Sequence, residues 1–252
     1  MQRYFVPAQQ MKADVVHITG DDAHHLTRVM RAKPGDEVIA ANGADREVLV
    51  RIREIEKEAV VADIVEERPL SGESPVTVWI AQSLPKGDKM ETVIQKGTEV
   101  GAARFLPFLS ERTVVQYDAR KEAKRLDRWR KIAKEAAEQA HRSRIPEVEA
   151  PLSWKELLAL AGQADLALLC YEKEEGRSFK EWLRAQFAPP AGPAQTVLVV
   201  IGPEGGFTER EAEEAQAAGC RTVSLGSRIL RTETAALVAL TCIMYETGEM
   251  GG

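Results

Sequence analysis

The chain has 252 residues, 44% hydrophobic and 29% charged, with a formal net charge of −5. That length can bury a real core in one large or two small domains, and the composition excludes a disordered chain. The net acidity excludes attraction of the whole molecule to nucleic acid, so a polyanion partner has to be met by a local patch.

The N-terminal run MQRYFVPAQQ lacks the long apolar core of a signal peptide. DAHHLTRVMR (22–31) reads as a helical insert among short β-rich runs, and its His24-His25 pair has no partner that would make it a ligand or a base. DEVIAANGADREVLVRIREI (36–55) holds two strand-like runs around Asn42-Gly43, a hairpin signal with a loop longer than two residues. AVVADIV (59–65) adds a strand, and together these predict a small barrel of about 70 residues, spanning 1–70. ERPLSGESP (67–75), with two prolines and a glycine, reads as a linker.

From about residue 74 to 252 the pattern becomes strand–helix alternation. VTVWIAQ (76–82), RFLPFLS (104–110), LALLCYE (166–172), TVLVVIG (196–202) and RTVSLG (221–226) are mostly continuous apolar runs, as expected of a parallel sheet buried on both faces. Asp88, Ser153, Ser178 and Thr208 are each followed three residues later by Glu91, Glu156, Glu181 and Glu211, the spacing of a capping box. The fold class is therefore α/β, an open parallel-sheet domain following the small barrel. Between Arg120 and Lys134 eight Lys/Arg face two acids, and Leu126, Trp129, Ala133, Ala136, Ala137 and Ala140 fall at helical spacing, which predicts an outward basic face. Further basic sets are Lys86, Lys89 and Lys96, and Arg28, Arg31 and Lys33 with Arg3. The last helix, AALVALTCIMYE, is apolar on nearly all sides, which suits a core helix or a subunit interface.

Ligands of open α/β sheets sit beyond the carboxyl ends of the strands. Three loops leave strand ends late in the chain: CYEKEEG, GPEGGF and GSRILRTETA. Neither GxGxxG nor GxxxxGK[ST] occurs, so the dinucleotide and P-loop readings lack their defining residues. Glu204 beside the loop glycines would repel a pyrophosphate and suits a neutral or cationic ligand, such as adenosine attached to a sulfonium. GPEGG also fits a plain strand-to-helix turn with a solvated glutamate. Ile229 and Leu230, between Arg228 and Arg231, are apolar residues in a connecting loop and predict that it packs against something. Cys170, Cys220 and Cys242 form no CxxC pair, and the four histidines give no HxxxH or HxH, so no metal and a reducing compartment are expected. No run reaches the ~18 apolar residues of a membrane span, and the expected location is the cytoplasm.

In order along the chain, HHLTRVMR, SLPKGDKMETVIQKGTEVG, SERTV, RWRKIAKEAAEQAHRSRIPEV, IGPEGGFTEREAEEA and LGSRILRTETAA resemble the bacterial 16S ribosomal RNA uridine-N3 methyltransferases of the SPOUT superfamily. The resemblance implies a PUA-like N-terminal barrel and a C-terminal domain with a deep trefoil knot that binds S-adenosylmethionine. It also implies a homodimer packed through the knots, and a uridine of 16S rRNA, in the decoding region of the small subunit, as substrate. Carried over, the cofactor residues are Cys170, Tyr171, Glu172, Ile201, Gly202, Pro203, Glu204, Gly205, Gly206, Leu225, Gly226, Ile229, Leu230, Thr234 and Ala235. RNA contacts are expected from Arg3, Arg28, Arg31, Lys86, Lys89, Lys96 and Arg112. Arg231 is the candidate for stabilising charge on the uracil oxygens, and Glu204 for accepting the N3 proton or only orienting the cofactor. The rivals are a non-catalytic RNA-binding protein and a methyltransferase of the same superfamily acting on tRNA or another base.

Overall fold

The computed structural model describes residues 1–115, 119–174, 178–187 and 195–251. It divides into one unit of Met1–Glu73 with Ala137–Ile145 and a second of Ser74–Ala136 with Pro146–Gly252. The boundary falls in the Pro/Gly stretch, but the first unit takes in a segment from far down the chain that the expected 1–70 barrel did not include.

The first unit is built on β1 (Arg3–Phe5), β2 (Val15–Thr19), β3 (Glu37–Ala41), β4 (Glu47–Ile55) and β5 (Ala59–Arg68), in the order β1-β3-β4-β5-β2. β1 lies parallel to β3 and the other pairs are antiparallel. Among the described residues no ladder joins the two edge strands β1 and β2 of the small barrel. Alternation along β4 sends Val48, Val50 and Ile52 into a core with Tyr4, Val16, Ile18 and Leu26, while Arg51 and Arg53 face solvent. The β3–β4 loop is held by Asn42, whose Oδ1 accepts from the amides of Ala44, Asp45 and Arg46, each at 3.0 Å. The expected helical insert is α1 (Gly20–His24), which continues into one π-helical turn over His25–Val29. His25 Nδ1 lies 3.0 Å from the Tyr4 hydroxyl, a packing role for the histidine pair.

Residues 137–145 join this unit through polar bonds that no local pattern announces. Glu138 accepts from the Phe5 amide at 3.0 Å, and Ser143 Oγ lies 2.6 Å from Ser71 O and 2.8 Å from Glu47 Oε2. Ala137 and Ile145 pack on Phe5 and Ala41.

The second unit is a parallel sheet of β6 (Thr77–Ser83), β7 (Arg104–Leu109), β8 (Glu147–Val148), β10 (Leu166–Cys170), β11 (Thr196–Ile201) and β12 (Arg221–Val223), ordered β12-β10-β11-β6-β7-β8, with β9 (Leu152–Ser153) also on β7. Val197–Ile201 are all buried, which is why this strand reads as an unbroken apolar run. The helices are α2 (Lys89–Val100), α3 (Ala119–Gln139), α4 (Trp154–Ala161), α5 (Phe179–Phe187), α6 (Glu209–Ala217) and α7 (Thr232–Glu246). Ser153 and Thr208 form complete capping boxes, and Ser178 with Glu181 makes the same reciprocal pair. Asp88 does not cap: its backbone, at φ −99° and ψ 13°, is not extended, and Glu91 instead accepts from Arg128 Nη2 at 2.6 Å. On α3, Trp129, Ala133, Ala136 and Ala137 are buried, as the spacing predicted.

α7 departs from the expectation of burial all round. Ala236, Ala239, Leu240, Ile243 and Met244 pack inward, whereas Thr241, Cys242 and Tyr245 are exposed, because α2, α5, β6 and β11 leave that part of the helix uncovered.

Gly97 marks the closest approach of helix to sheet, since a Cβ there would lie 2.8 Å from Phe105 Cε1, and Phe105 is fully buried. Gly97→Ala is therefore expected to destabilise the second unit by about 1–3 kcal/mol despite the better helix propensity of alanine. Thermal unfolding checks it; an unchanged or raised melting temperature would show that the ring can move aside.

Candidate active site

β6 leads away to β7 on one side while β11, its neighbour, leads to β12 on the other. Their adjacent carboxyl ends form a switch point, where open α/β sheets bind ligands. A cavity of about 1400 Å³ opens there. Its wall contains Cys170, Tyr171 and Glu172 after β10; Ile201, Gly202, Pro203, Glu204 and Gly206 after β11; and Leu225, Gly226, Ile229 and Leu230 beyond β12, with Arg231 and Ala235 at the start of α7. Two residues expected at the cofactor, Gly205 and Thr234, are absent from that wall. Of the CYEKEEG loop, Glu175 and Gly176 lie outside the described residues.

The GPEGG loop is fixed from two sides. Glu204 accepts from the Lys86 amide at 3.1 Å and from Lys89 Nζ at 2.7 Å. Thr232 Oγ1 donates to Gly202 O at 2.6 Å and accepts from Gln82 Nε2 at 2.8 Å, so the end of β6, the loop and the start of α7 share one chain of bonds. Gly206 turns the loop at φ +65°, with Glu172 Oε1 only 3.4 Å from where its Cβ would be. Burial pushes the Glu204 carboxyl up, but Lys89 and the amides of Glu204 and Lys86 outweigh it and hold the group below the ordinary carboxylate value. Burial pushes the Cys170 thiol up to about 12, so it lines the cavity as a neutral thiol rather than a nucleophile.

These residues suit S-adenosylmethionine. The loops bring glycine backbone and the Glu204 and Glu172 carboxylates to the cavity, with Arg228 and Arg231 on the same wall, a setting for a hydrogen-bonding ligand that carries both a cationic and an anionic group. Arg231 is exposed on the wall, and among the described residues no hydrogen bond or ion pair engages its guanidinium.

The basic residues separate into two groups. Arg28, Arg31, Lys86, Lys96 and Arg112 are exposed. Arg3 is not: its side chain is 3% exposed and pairs with Glu47 at 2.6 Å, so this expected RNA contact is corrected to an internal one. Lys89 is taken up by Glu204 and lies 3.7 Å from Glu233, Lys96 pairs with Glu99 at 2.7 Å, and Arg112 donates to Gly205 O at 2.7 Å. Ile229 is 90% exposed and Leu230 half-buried, so of the apolar pair expected to pack against something only Leu230 is partly covered within this chain.

The sequence reading missed α5 and the outer face of α7. Phe179 and Leu183 from one, and Val238, Cys242 and Tyr245 from the other, complete the cavity wall. The spacing of Val238, Cys242 and Tyr245 marks one helical face, but only the fold turns that face to the ligand loops. Among the described residues no cluster of His, Cys, Asp or Glu could hold a metal, and no described helix is long and apolar enough to cross a membrane.

Residues 72–244 match the family model of an RNA methyltransferase domain, and residues 18–65 that of an RNA methyltransferase PUA domain. The chain is 41% identical over 256 residues to ribosomal RNA small subunit methyltransferase E of Bacillus subtilis, covering 100% of this chain and 99% of the relative. The protein of the same name from Synechocystis is 36% identical, over 96% of this chain and 76% of its own. A crystal structure of ribosomal RNA small subunit methyltransferase E from Neisseria gonorrhoeae bound to S-adenosyl methionine superposes with a TM-score of 0.82 at 30% identity, covering 97% of each chain.

Proposed function

Because the chain belongs to the RNA methyltransferase family that includes ribosomal RNA small subunit methyltransferase E, we propose that it methylates N3 of one uridine in the decoding region of 16S rRNA, using S-adenosylmethionine. The observation that carries this reading is the switch-point cavity, where carboxylate-bearing glycine loops and an unengaged arginine meet. Its volume, about 1400 Å³, exceeds the roughly 300–1,000 Å³ of a single small-ligand pocket. That leaves room for a cofactor and a uracil turned out of its strand.

When bound, S-adenosylmethionine supplies an electrophilic methyl on a sulfonium. The chain's own work is to hold the uracil in line with it, which is largely proximity. The N3 proton does not leave readily at neutral pH, so charge growing on the uracil oxygens needs a partner. We assign that to Arg231, an exposed residue of the cavity wall whose guanidinium has no hydrogen bond or ion pair among the described residues and could offer a planar fork of donors. Glu204 is assigned to orientation rather than proton transfer: Lys89 and the Lys86 amide occupy its carboxylate, and its lowered pKa makes it a weak base. The cofactor contacts are those of the three loops, and Arg28, Arg31 and Lys86 are among the exposed cations offered to RNA.

The reading includes a deep trefoil knot in the C-terminal domain and a homodimer. The open α7 face with Cys242 and Tyr245, and exposed Ile229 beside it on the cavity wall, support the dimer, since a second copy would cover them. Two measurements test the cofactor and the substrate. Calorimetry is expected to show saturable S-adenosylmethionine binding, and mass mapping of 16S rRNA from a deletion strain to show loss of one methylated uridine. Cofactor binding with every 16S methyluridine retained would move the substrate to tRNA or another base, and no cofactor binding would leave an RNA-binding protein.

A further inference from the structure

The loop after β7 packs against Gly205 of the GPEGG loop and against the start of α6. The Arg112 side chain lies along Gly205, where a Cβ would meet Arg112 Cβ and Cδ at 3.4 Å. Arg112 Nη1 donates to Gly205 O at 2.7 Å and stands 3.5 Å from Phe207 O. Next to it, the Glu111 amide donates to Glu211 Oε1 at 2.8 Å, and Glu111 Oε2 accepts from Thr208 Oγ1 at 3.2 Å and Arg210 Nη2 at 3.0 Å. The base of the clasp is fixed in turn, because Ser83 Oγ lies 2.9 Å from both Ser110 Oγ and Thr113 Oγ1. Gly205 is the one residue of GPEGG missing from the cavity wall, and Arg112 is what it faces instead.

From this we infer that Arg112 is a positioning residue for the cofactor: it holds the far side of the GPEGG loop so that Gly202, Glu204 and Gly206 stay at the cavity. The inference rests on the cofactor reading above. A loop carbonyl held by a charged donor keeps its peptide planes from turning, so the ordering is already present before the ligand arrives.

Three proteins are compared by calorimetry with S-adenosylmethionine: the parent, Arg112→Ala and Arg112→Lys. Arg112→Ala should weaken binding about tenfold, the low end of what a charged hydrogen bond contributes, and Arg112→Lys should restore part of it. Melting without ligand should hardly change, while the ligand-induced rise in melting temperature shrinks. Turnover with small ribosomal subunits should show a raised KM for S-adenosylmethionine and an unchanged KM for the subunits. Equal cofactor affinity in all three proteins overturns the inference. So does a raised KM for the subunits with a salt slope reduced by about one, the sign of a phosphate contact. A parent protein that binds no S-adenosylmethionine would instead bring down the cofactor reading itself.

Discussion

Arg231→Ala is expected to lower kcat by about 10²–10³, the cost of removing one donor aimed at developing negative charge. Its dissociation constant for S-adenosylmethionine should stay within about threefold, because the loops proposed to hold the cofactor are tied by other residues. Glu204 is anchored by Lys89 and Lys86, and Gly202 by Thr232, none of which bonds to the Arg231 side chain. Arg231 also sits at the N-cap of α7 without capping it through its side chain, so the helix start does not depend on the guanidinium. Arg231→Lys keeps the charge but loses the fork and should recover only part of the rate. Single-turnover kinetics beside calorimetry read the two quantities separately. A variant with parental kcat and a higher KM for RNA would turn Arg231 into a phosphate contact.

The parts of the molecule written in local pattern were legible, and the parts written in long-range pairing were not. β11 is buried along Val197–Ile201, so its composition alone announces a central parallel strand. Ser153 and Thr208 cap as spaced because their backbones are extended at φ −72° and −76°. Asp88 has the same spacing and fails, since its φ and ψ come from the turn at Gly87, not from its own side chain. The two-residue strands β8 and β9 have no periodicity to read; they exist because Arg104–Phe105 and Phe108–Leu109 offer them an edge. The three loops that line the cavity could be picked out from their place after strand ends, whereas α5 and the α7 face reach the cavity only through packing. Charge misled most. A lysine or arginine in the sequence looks like an offer to RNA, yet Arg3 is buried against Glu47, and Lys89 and Arg112 bond to Glu204 and Gly205 of the same loop, which nothing in their neighbours' identities says.

Arg3 gives the test of that last point. Its guanidinium donates to both Glu47 oxygens, at 2.6 and 3.0 Å, and to Arg142 O at 2.9 Å, in a site where the side chains are 3% and 1% exposed. Arg3→Ala leaves the Glu47 carboxylate buried with Ser143 Oγ at 2.8 Å and Arg68 Nε at 3.8 Å. An uncompensated buried charge costs about 3–5 kcal/mol, and the half-exposed Arg68 can recover only a part. The loss should be local. Amide exchange is expected to quicken across β1, β3 and β4 and through 137–145, which Arg3 holds through the Arg142 carbonyl, while β10 and β11 keep their protection. The double variant Arg3→Met with Glu47→Leu should recover much of the stability, because removing both partners of a buried pair leaves no charge behind. If Arg3 were an RNA contact, the single variant would stay within about 0.5 kcal/mol of the parent, and its effect would show as a weaker salt dependence of RNA binding. The order of the two stabilities, double above single, is what separates a buried pair from a surface arginine.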